Sequence, residues 1–414
     1  MAERKVVAAA TRTRYQRAAK KEKGKILDEF IELTGYHRAY ARAVLRKKAG
    51  SNKPRAVAAP PAMVKSRKQY DERVLTALRR IWIILDFMCG KRLVAILPEV
   101  LRRLEYFDEL EVDEETKEKL LRISAATIDR LLGAERRKHE LRGRSRTKPG
   151  TLLKKQIPLR TFSEWNEQRP GFVEIDLVGH DGGVLQGDYL HTLDMTDIYS
   201  GWTEVQAVQN KAQVWVFAAL KELRARFPFP LLGIDSDNGS EFINADLLQY
   251  CQQQRITFTR SRPYRKNDNC YVEQKNYTMV RRHVGYQRLA GQEQLALVNE
   301  LYRQLRLYTN YFQPLMKLKC KERHGSQVKK TYDVVQTPYQ RLQQSPYLSA
   351  GSKRQLAAQY ARLNPAELKR KIEKLQEKLL RLAADTRPMR LYRRPESTWI
   401  NSNFVFGKAA ANFE

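Results

Sequence analysis

The sequence predicts a multidomain protein with helical N-terminal modules, a central α/β domain and a C-terminal extension containing a long helix. Three observations lead to this fold class. The chain has 414 residues, which is too many for one ordinary hydrophobic core. Its pattern changes from helical periodicity to short apolar strands at residue 171. Near the C-terminus, apolar residues return to a helical spacing.

The charge of the chain predicts a polyanionic partner. Lys and Arg total 77 against 46 acids, a formal net charge of +31, which favours nucleic acid first and an anionic membrane surface second. The longest apolar stretches are too short and too interrupted to span a bilayer, and the N-terminus lacks the apolar region of a signal peptide. We therefore expect a cytoplasmic, nucleoid-associated protein with no membrane partner.

The four cysteines are scattered and form no CxxC pair, so neither a disulfide framework nor a zinc site is expected.

The first predicted module is a helix-turn-helix DNA-binding domain over residues 1–50, followed by a linker over 51–69. Two helices are predicted around Thr34-Gly35, and the second is basic. An ordinary helical hairpin with a solvated basic face fits the local pattern equally well, and the charge of the whole chain favours DNA binding. The candidate DNA contacts are Arg38, Arg42, Arg46 and Lys47.

A second helical or helix-turn-helix DNA-binding domain is predicted over residues 70–140. The acids that begin at Asp113 favour a helix start, and Ser124 is a candidate N-cap for the next helix. A basic linker follows over 141–164, where a merely solvated charged segment is the alternative to phosphate binding. The candidate DNA contacts in this linker are Arg142, Arg144 and Arg146.

From residue 171 the pattern predicts a mixed five-stranded sheet with helices on its faces. Three successive strand candidates, "GFVEIDLVGH", "YLHTLDMTD" and "GWTEVQAV", precede an amphipathic helix. The strands "LLGIDSD" and "ITFTR" then alternate with helices, the last of which carries "CYVEQKNYTMVRRHV".

Three acids in this region are candidates for one metal-binding site. Asp176 lies on the first strand, Asp237 ends the fourth in "DSDNGSEF", and Glu273 lies on the last helix. If the first and fourth strands are neighbours, both aspartates meet at one sheet edge, where a helix packed across that edge can add Glu273. Locally, a plain surface β-turn is the alternative for the Asp-Asn-Gly stretch.

Two neighbouring acids compete for the same roles. By the two-residue alternation of a strand, Glu174 shares a face with Asp176, and Asp235 shares one with Asp237. The strand-end position favours Asp176, and the Asn-Gly context favours Asp237. Glu241 is assigned to a loop, a cap or an indirect role.

"SDNGSEF" and "SRPYRKNDNCYVEQKN", with 35 residues between Asp237 and Glu273, resemble the DDE recombinases of the retroviral-integrase superfamily, specifically bacterial insertion-sequence transposases. The resemblance covers roughly residues 165–320 and implies an RNase H-like DDE catalytic core there. It implies that Asp176 bridges two Mg²⁺ ions, for which Mn²⁺ can substitute, while Asp237 and Glu273 each hold one.

The resemblance also implies the partners. They are double-stranded DNA, as terminal inverted repeats and as target, and further copies of the chain in a homodimer or higher homo-oligomer on DNA. The implied reaction cleaves the element ends and joins their 3′-hydroxyls to target DNA. An RNase H-like nuclease without strand transfer, and an inactive DNA-binding regulator, remain as alternatives.

Basic residues around the glutamate helix are further candidate DNA contacts, since they could hold phosphates beside the acids. They are Arg262, Arg265, Lys266, Lys275 and Arg281. The remaining residues, 321–414, are predicted to be a C-terminal extension with an amphipathic helix over 364–384. This helix either supports contacts between subunits or packs on its own chain.

Overall fold

The computed structural model describes residues 2–46, 70–137, 159–160, 167–237, 239, 241–261, 270–324 and 327–383. The chain divides into two compact units, Met1–Lys68 and Gln69–Glu414.

The first unit is helical, as predicted, and has one helix more than the sequence indicated. Its helices are α1 (Ala2–Arg17), α2 (Lys20–Thr34) and α3 (Arg38–Arg46). Gly35 ends α2 with a left-handed φ of +66°, and its N–H donates to the carbonyl of Ile31 at 2.8 Å. Only glycine adopts this conformation without strain, which explains the turn between α2 and α3.

Ile26, Leu27 and Phe30 of α2 are buried among residues of α1 and α3. Leu33, which the apolar pattern assigns to the same face, is 72% exposed, and Thr34 is buried instead. The reason is geometric: residue 34 lies four positions after Phe30 and therefore directly above it on the helix. DNA binding by this unit remains a prediction.

The second unit begins with five helices. They are α4 (Glu72–Ile84), α5 (Gly90–Tyr106), α6 (Glu114–Arg122), α7 (Ala125–Leu131) and α8 (Gly133–Arg137). The two predicted helix starts are confirmed, because Asp113 accepts from the N–H of Thr116 at 2.8 Å and Ser124 from that of Thr127 at 3.2 Å. Gly133 begins the short α8.

The predicted mixed five-stranded sheet is confirmed, and a two-residue strand extends one edge. The strands are β1 (Leu159–Arg160), β2 (Phe172–Gly179), β3 (His191–Asp197), β4 (Thr203–Val208), β5 (Gly233–Ser236) and β6 (Thr257–Ser261). They lie in the order β1-β6-β5-β2-β3-β4. β2, β3 and β4 pair antiparallel, whereas β5 pairs parallel to both β2 and β6. Neighbouring β2 and β5 are the arrangement that the acidic site requires.

Helices flank the strands. They are α9 (Gln213–Arg226), α10 (Ala245–Gln253), α11 (Cys270–Lys275), α12 (Arg282–Val284) and α13 (Gln292–Phe312). Between α11 and α12 the chain winds into a π-helical segment, Asn276–Arg281. β3 is buried along its whole length, so both faces of the sheet are covered.

The described C-terminal part, up to residue 383, contains a hairpin and three helices. These elements are β7 (Leu318–His324), β8 (Gln327–Tyr332), α14 (Pro338–Gln344), α15 (Ala350–Ala361) and α16 (Pro365–Leu382). α16 packs on α13 of its own chain, with Leu368, Ile372 and Leu379 buried there. Of the two alternatives for this amphipathic helix, the structure shows packing within the chain.

One continuous core joins the helices of 72–137 to the sheet and to the C-terminal helices. The hydroxyl of Tyr308 donates to the carbonyl of Ile84 at 2.6 Å, and Arg92 donates to that of Pro314 at 2.6 Å. The predicted domain boundaries within this unit remain predictions. Within the described parts of the chain, no helix is long and apolar enough to cross a membrane.

Candidate active site

Asp176 and Asp237 lie side by side at the point where β5 ends. Asp237 follows the end of its strand as predicted, whereas β2 continues to Gly179, so the predicted strand-end position of Asp176 is wrong. In the parallel pairing of β2 and β5, Glu174 stands opposite Asp235 and Ile175 opposite Ser236. Asp237 follows Ser236 directly, just as Asp176 follows Ile175. Gly233 allows the two strands to approach, because a Cβ there would lie 2.3 Å from the ring of Phe172.

The two aspartates share one electrostatic environment. Burial, and after it the charge of Asp176, raise the pKa of Asp237 to about 7. Burial also raises the pKa of Asp176, against hydrogen bonds from the N–H of Leu177 at 2.8 Å and from Asn276. Both carboxylates are half-buried. Carboxylates that penalise each other's charge, and that remain reachable, fit a divalent cation.

Glu241 is a third acid of this site, and sequence reasoning gave it only an indirect role. Its charge raises the pKa of both Asp176 and Asp237. A Cβ on Gly239 would lie 2.7 Å from Cδ of Glu241 and 2.9 Å from Oδ1 of Asp237. The glycine therefore makes room for two carboxylates, and its N–H donates to Asp237 at 2.8 Å. The stretch "DSDNGSEF" contained a signal for this role, because Glu241 lies only four residues after Asp237.

Glu273 lies on α11 with an exposed side chain. Its charge is among those that raise the pKa of the buried Glu174, after burial itself and Asp235. Within the described residues, no three acidic, histidine or cysteine side chains converge tightly enough to hold a metal ion. The structure thus brings Asp176 and Asp237 together, and the role of Glu273 as their third partner remains a prediction.

The competing acids Glu174 and Asp235 are enclosed. Glu174 accepts hydrogen bonds from the backbone N–H groups of Tyr271 and Val272, both at 2.9 Å. Asp235 accepts from the hydroxyl of Thr259. Both carboxyl groups are buried and committed to the protein, so Asp176 and Asp237 are the better ligand candidates.

The glutamate helix also supplies groups to the aspartates. Asn276 donates from Nδ2 to Oδ2 of Asp176 at 2.5 Å. Arg281 donates to the carbonyl of Gly179 at 2.9 Å, and its charge lowers the pKa of Asp176. Asn276 and Arg281 are the first and last residues of the π-helical segment, a distortion that is frequent at functional sites.

Two predicted DNA contacts on this helix have partners inside the protein. Lys275 is half-buried and burial lowers its pKa to about 8, against the charge of the buried Asp194, which raises it. Asp194 stands opposite Asp176 in the β2–β3 pairing, and burial raises its pKa to about 8. Both side chains are half-buried, and Arg281 is bonded to the end of β2, so contact of either residue with phosphate remains a prediction.

The other candidate DNA contacts divide into two groups. Arg38, Arg42 and Arg46 are exposed on α3, and Arg38 forms an ion pair with Asp28. The remaining candidates lie outside the described residues; they are Lys47, Arg142, Arg144, Arg146, Arg262, Arg265 and Lys266.

Comparisons with known proteins define the class. The family model described as Integrase core domain matches residues 166–266, which contain Asp176 and Asp237. The uncharacterized protein y4rM of Sinorhizobium fredii (strain NBRC 101917 / NGR234) is 42% identical over 334 residues, covering 80% of this chain and 93% of y4rM.

Two solved structures are similar over part of the chain. The catalytic core domain of BIV integrase is 19% identical, with a TM-score of 0.28, over 41% of this chain and 91% of that one. The HTLV-2 integrase catalytic core domain in complex with magnesium, in a dimeric form, is 13% identical, with a TM-score of 0.27, over 35% and 89%.

The matched region and the fold make this chain a DDE integrase- or transposase-like protein built on an RNase H-like core. Within that class it belongs to the same family as y4rM.

Proposed function

We propose that this protein is a DNA transposase. It binds the terminal inverted repeats of a mobile element, cleaves the element ends and joins their 3′-hydroxyls to target DNA. The proposal rests above all on the paired carboxylates of Asp176 and Asp237 at the carboxyl edge of β2 and β5. In this proposal the protein acts on cytoplasmic DNA at the nucleoid. The exposed arginines of α3 and the predicted basic segments contact the DNA phosphates.

The catalytic residues in this proposal are Asp176, Asp237 and Glu273. They would hold two divalent ions, Mg²⁺ or Mn²⁺, which when bound activate the attacking oxygen and stabilise the leaving one. Asn276 orients the carboxylate of Asp176 through its hydrogen bond. Glu174 holds the first turn of the helix that carries Glu273.

In the first step a water oxygen bonds to phosphorus and the bond from phosphorus to the 3′-oxygen breaks, which leaves a 3′-hydroxyl on the element. In the second step that hydroxyl attacks a target phosphate, and a target 3′-oxygen leaves. Joining two ends requires two active sites, so the proposal includes a homodimer or higher homo-oligomer on DNA.

The test uses labelled duplexes that carry the inverted repeats flanking the coding sequence, with a supercoiled target and Mg²⁺ or Mn²⁺. Wild type is compared with Asp176→Asn, Asp237→Asn and Glu273→Gln. Glu293→Gln, which changes an exposed acid in the first turn of α13, is the matched control. We expect joined products from wild type and from the control only.

Three other outcomes would contradict parts of this proposal. Nicked ends without joining would favour a nuclease, and DNA binding without any cleavage would favour a regulator. Full activity in a variant of one acid would remove that residue from the catalytic set.

A further inference from the structure

The tip of the loop between β2 and β3 carries two exposed apolar side chains. Val184 is 56% exposed and Leu185 is 67% exposed. A single exposed apolar residue is ordinary on a protein surface. Two adjacent ones at the tip of an ordered loop keep apolar area in water that a partner could cover.

The backbone of this loop is fixed from within by one arginine. The Arg288 guanidinium donates to four carbonyls of the loop: Asp181 at 3.4 Å, Val184 at 2.7 Å, Gln186 at 2.7 Å and Asp188 at 3.0 Å. A loop organised in this way presents its tip in one conformation, so little ordering entropy remains to be lost on binding.

Glycines allow the loop to close around that arginine. Gly182 has a φ of +63°, and a Cβ there would lie 2.7 Å from the backbone nitrogen of Arg288. Gly187 has a φ of +75°. These backbone conformations are accessible mainly to glycine. The two glycines therefore fix the path of the chain on both sides of the tip.

The loop begins beside the candidate active site. It leaves the end of β2, four residues after Asp176. Arg281 links the two, because its guanidinium donates to the carbonyl of Gly179 and faces the charges of both Asp181 and Asp176. In the proposed function, DNA whose phosphate reaches the half-buried aspartates lies near the end of β2, from which this loop leaves.

The side chains of the loop do not suit a grip on phosphate. Its charged residues are the acids Asp181 and Asp188, and the guanidinium of Arg288 is already committed to carbonyl oxygens. The tip is apolar, and an apolar surface fits the faces of stacked bases better than it fits the DNA backbone. Apolar side chains of DNA-binding proteins insert between base steps and unstack them.

We propose that Val184 and Leu185 form a wedge that enters the duplex beside the scissile phosphate and separates base pairs at the element end. This inference rests on the proposed function, because it assumes that the element end is the substrate. Opening the duplex lets the phosphate descend to carboxylates that are partly enclosed by the sheet edge.

The test compares Val184→Ser/Leu185→Ser with wild type on two substrates. One is the fully paired element end, and the other has the same end left unpaired by mismatches. 2-Aminopurine at the terminal positions reports unstacking when the protein binds. Val214→Ser is the matched control, since Val214 is an equally exposed valine, at 65%, on α9.

We expect the double variant to cleave the paired end at least about tenfold more slowly, since unstacking a base step is costly, and to cleave the unpaired end at the wild-type rate. The 2-aminopurine signal of wild type and of Val214→Ser should be absent in the double variant. A loss of rate that is the same on both substrates would overturn the wedge, as would an unchanged 2-aminopurine signal.

The failure of the proposed function has a separate signature. If wild type binds both substrates and cleaves neither, the transposase proposal fails, while the 2-aminopurine signal still decides whether a wedge exists. If the tip instead contacts another protein copy, DNA unstacking is unchanged and only the oligomeric state of the double variant differs, which overturns the wedge.

Discussion

Oε2 of Glu174 lies 2.9 Å from the backbone nitrogen of Val272, so a buried carboxyl group of β2 holds the first turn of the helix that bears Glu273. The same oxygen accepts from Tyr271. Two of the helix's unpaired N–H groups are thereby satisfied by the strand that carries Asp176. The spacing between the first and third acids of the candidate triad, Asp176 and Glu273, is thus set in part by Glu174.

This relationship predicts the effect of two substitutions at Glu174. Glu174→Ala should lower the rate of end cleavage by about 100-fold, because a small misplacement of a catalytic group has effects of that size. Glu174→Gln should retain most activity, since its amide oxygen can still accept from both N–H groups. Cleavage rates, with unfolding curves of all three proteins, test this.

The conservative variant is what separates positioning from charge. If Glu174→Gln is as impaired as Glu174→Ala while both remain folded, then the charge of Glu174 matters and the positioning role is wrong.

The sequence predicted the parts of the site that depend on strand alternation and chain spacing. Asp176 and Asp237 were expected at one sheet edge, and the pairing of β2 with β5 puts them there. Five of the six strands and the helices between them were likewise expected. These features follow from local periodicity, which a sequence displays directly.

The contacts that arise from packing were not predictable in the same way. Glu174 and Glu241 look like ordinary acids in the sequence, and only the folded chain places one under α11 and the other beside Asp237. The half-burial of Lys275 was likewise not visible in the sequence, which shows only that it lies on the glutamate helix. What it then faces, the buried Asp194, depends on how α11 packs on the sheet.

We predict a large loss of stability when Asp86 is replaced, because it is a mostly buried acid, 13% exposed, with two basic partners. Its carboxylate lies 2.7 Å from Nζ of Lys369 and 2.6 Å from Nε of Arg282, and Lys369 is 4% exposed. Asp86→Ala should lower the free energy of unfolding by about 3–5 kcal/mol, because the buried Lys369 loses the nearer of two acidic partners and keeps Glu373 at 3.7 Å. Chemical denaturation followed by tryptophan fluorescence measures it.

The control for Asp86 is an exposed ion pair. Glu118 lies 3.5 Å from Arg122 on the surface of α6, and Glu118→Ala should change the free energy of unfolding by less than about 1 kcal/mol. Equal losses in the two variants would contradict the importance of burial at Asp86.

We predict that His191 makes the folded protein less stable in acid. Burial lowers its pKa from 6.5 to about 4 in the folded protein, and its Nδ1 lies 3.2 Å from the carbonyl of Tyr189. As the pH falls below 6.5 the unfolded chain takes up a proton before the folded one does, so stability decreases between about 6.5 and 4. His191→Asn should remove about 1–3 kcal/mol of that decrease.

Denaturation curves at pH 7 and pH 4.5 measure the decrease in each protein, and only the difference between the two proteins is attributed to His191. His180, whose pKa burial also lowers, remains in both proteins and contributes equally. A decrease of the same size in His191→Asn would show that other groups account for the acid sensitivity.

We predict that replacing Gly239 changes the activity without changing the fold. A Cβ there would lie 2.7 Å from Cδ of Glu241 and 2.9 Å from Oδ1 of Asp237, which are both ends of side chains and can move apart. Gly239→Ala should therefore leave the free energy of unfolding within about 1 kcal/mol while lowering end cleavage about tenfold or more, because the carboxylates are displaced.

Gly24→Ala is the control, since a Cβ on Gly24 has no atom within 4 Å and its helix should gain about 0.5–1 kcal/mol. Wild-type cleavage by Gly239→Ala would mean that the position of these carboxylates does not limit the reaction.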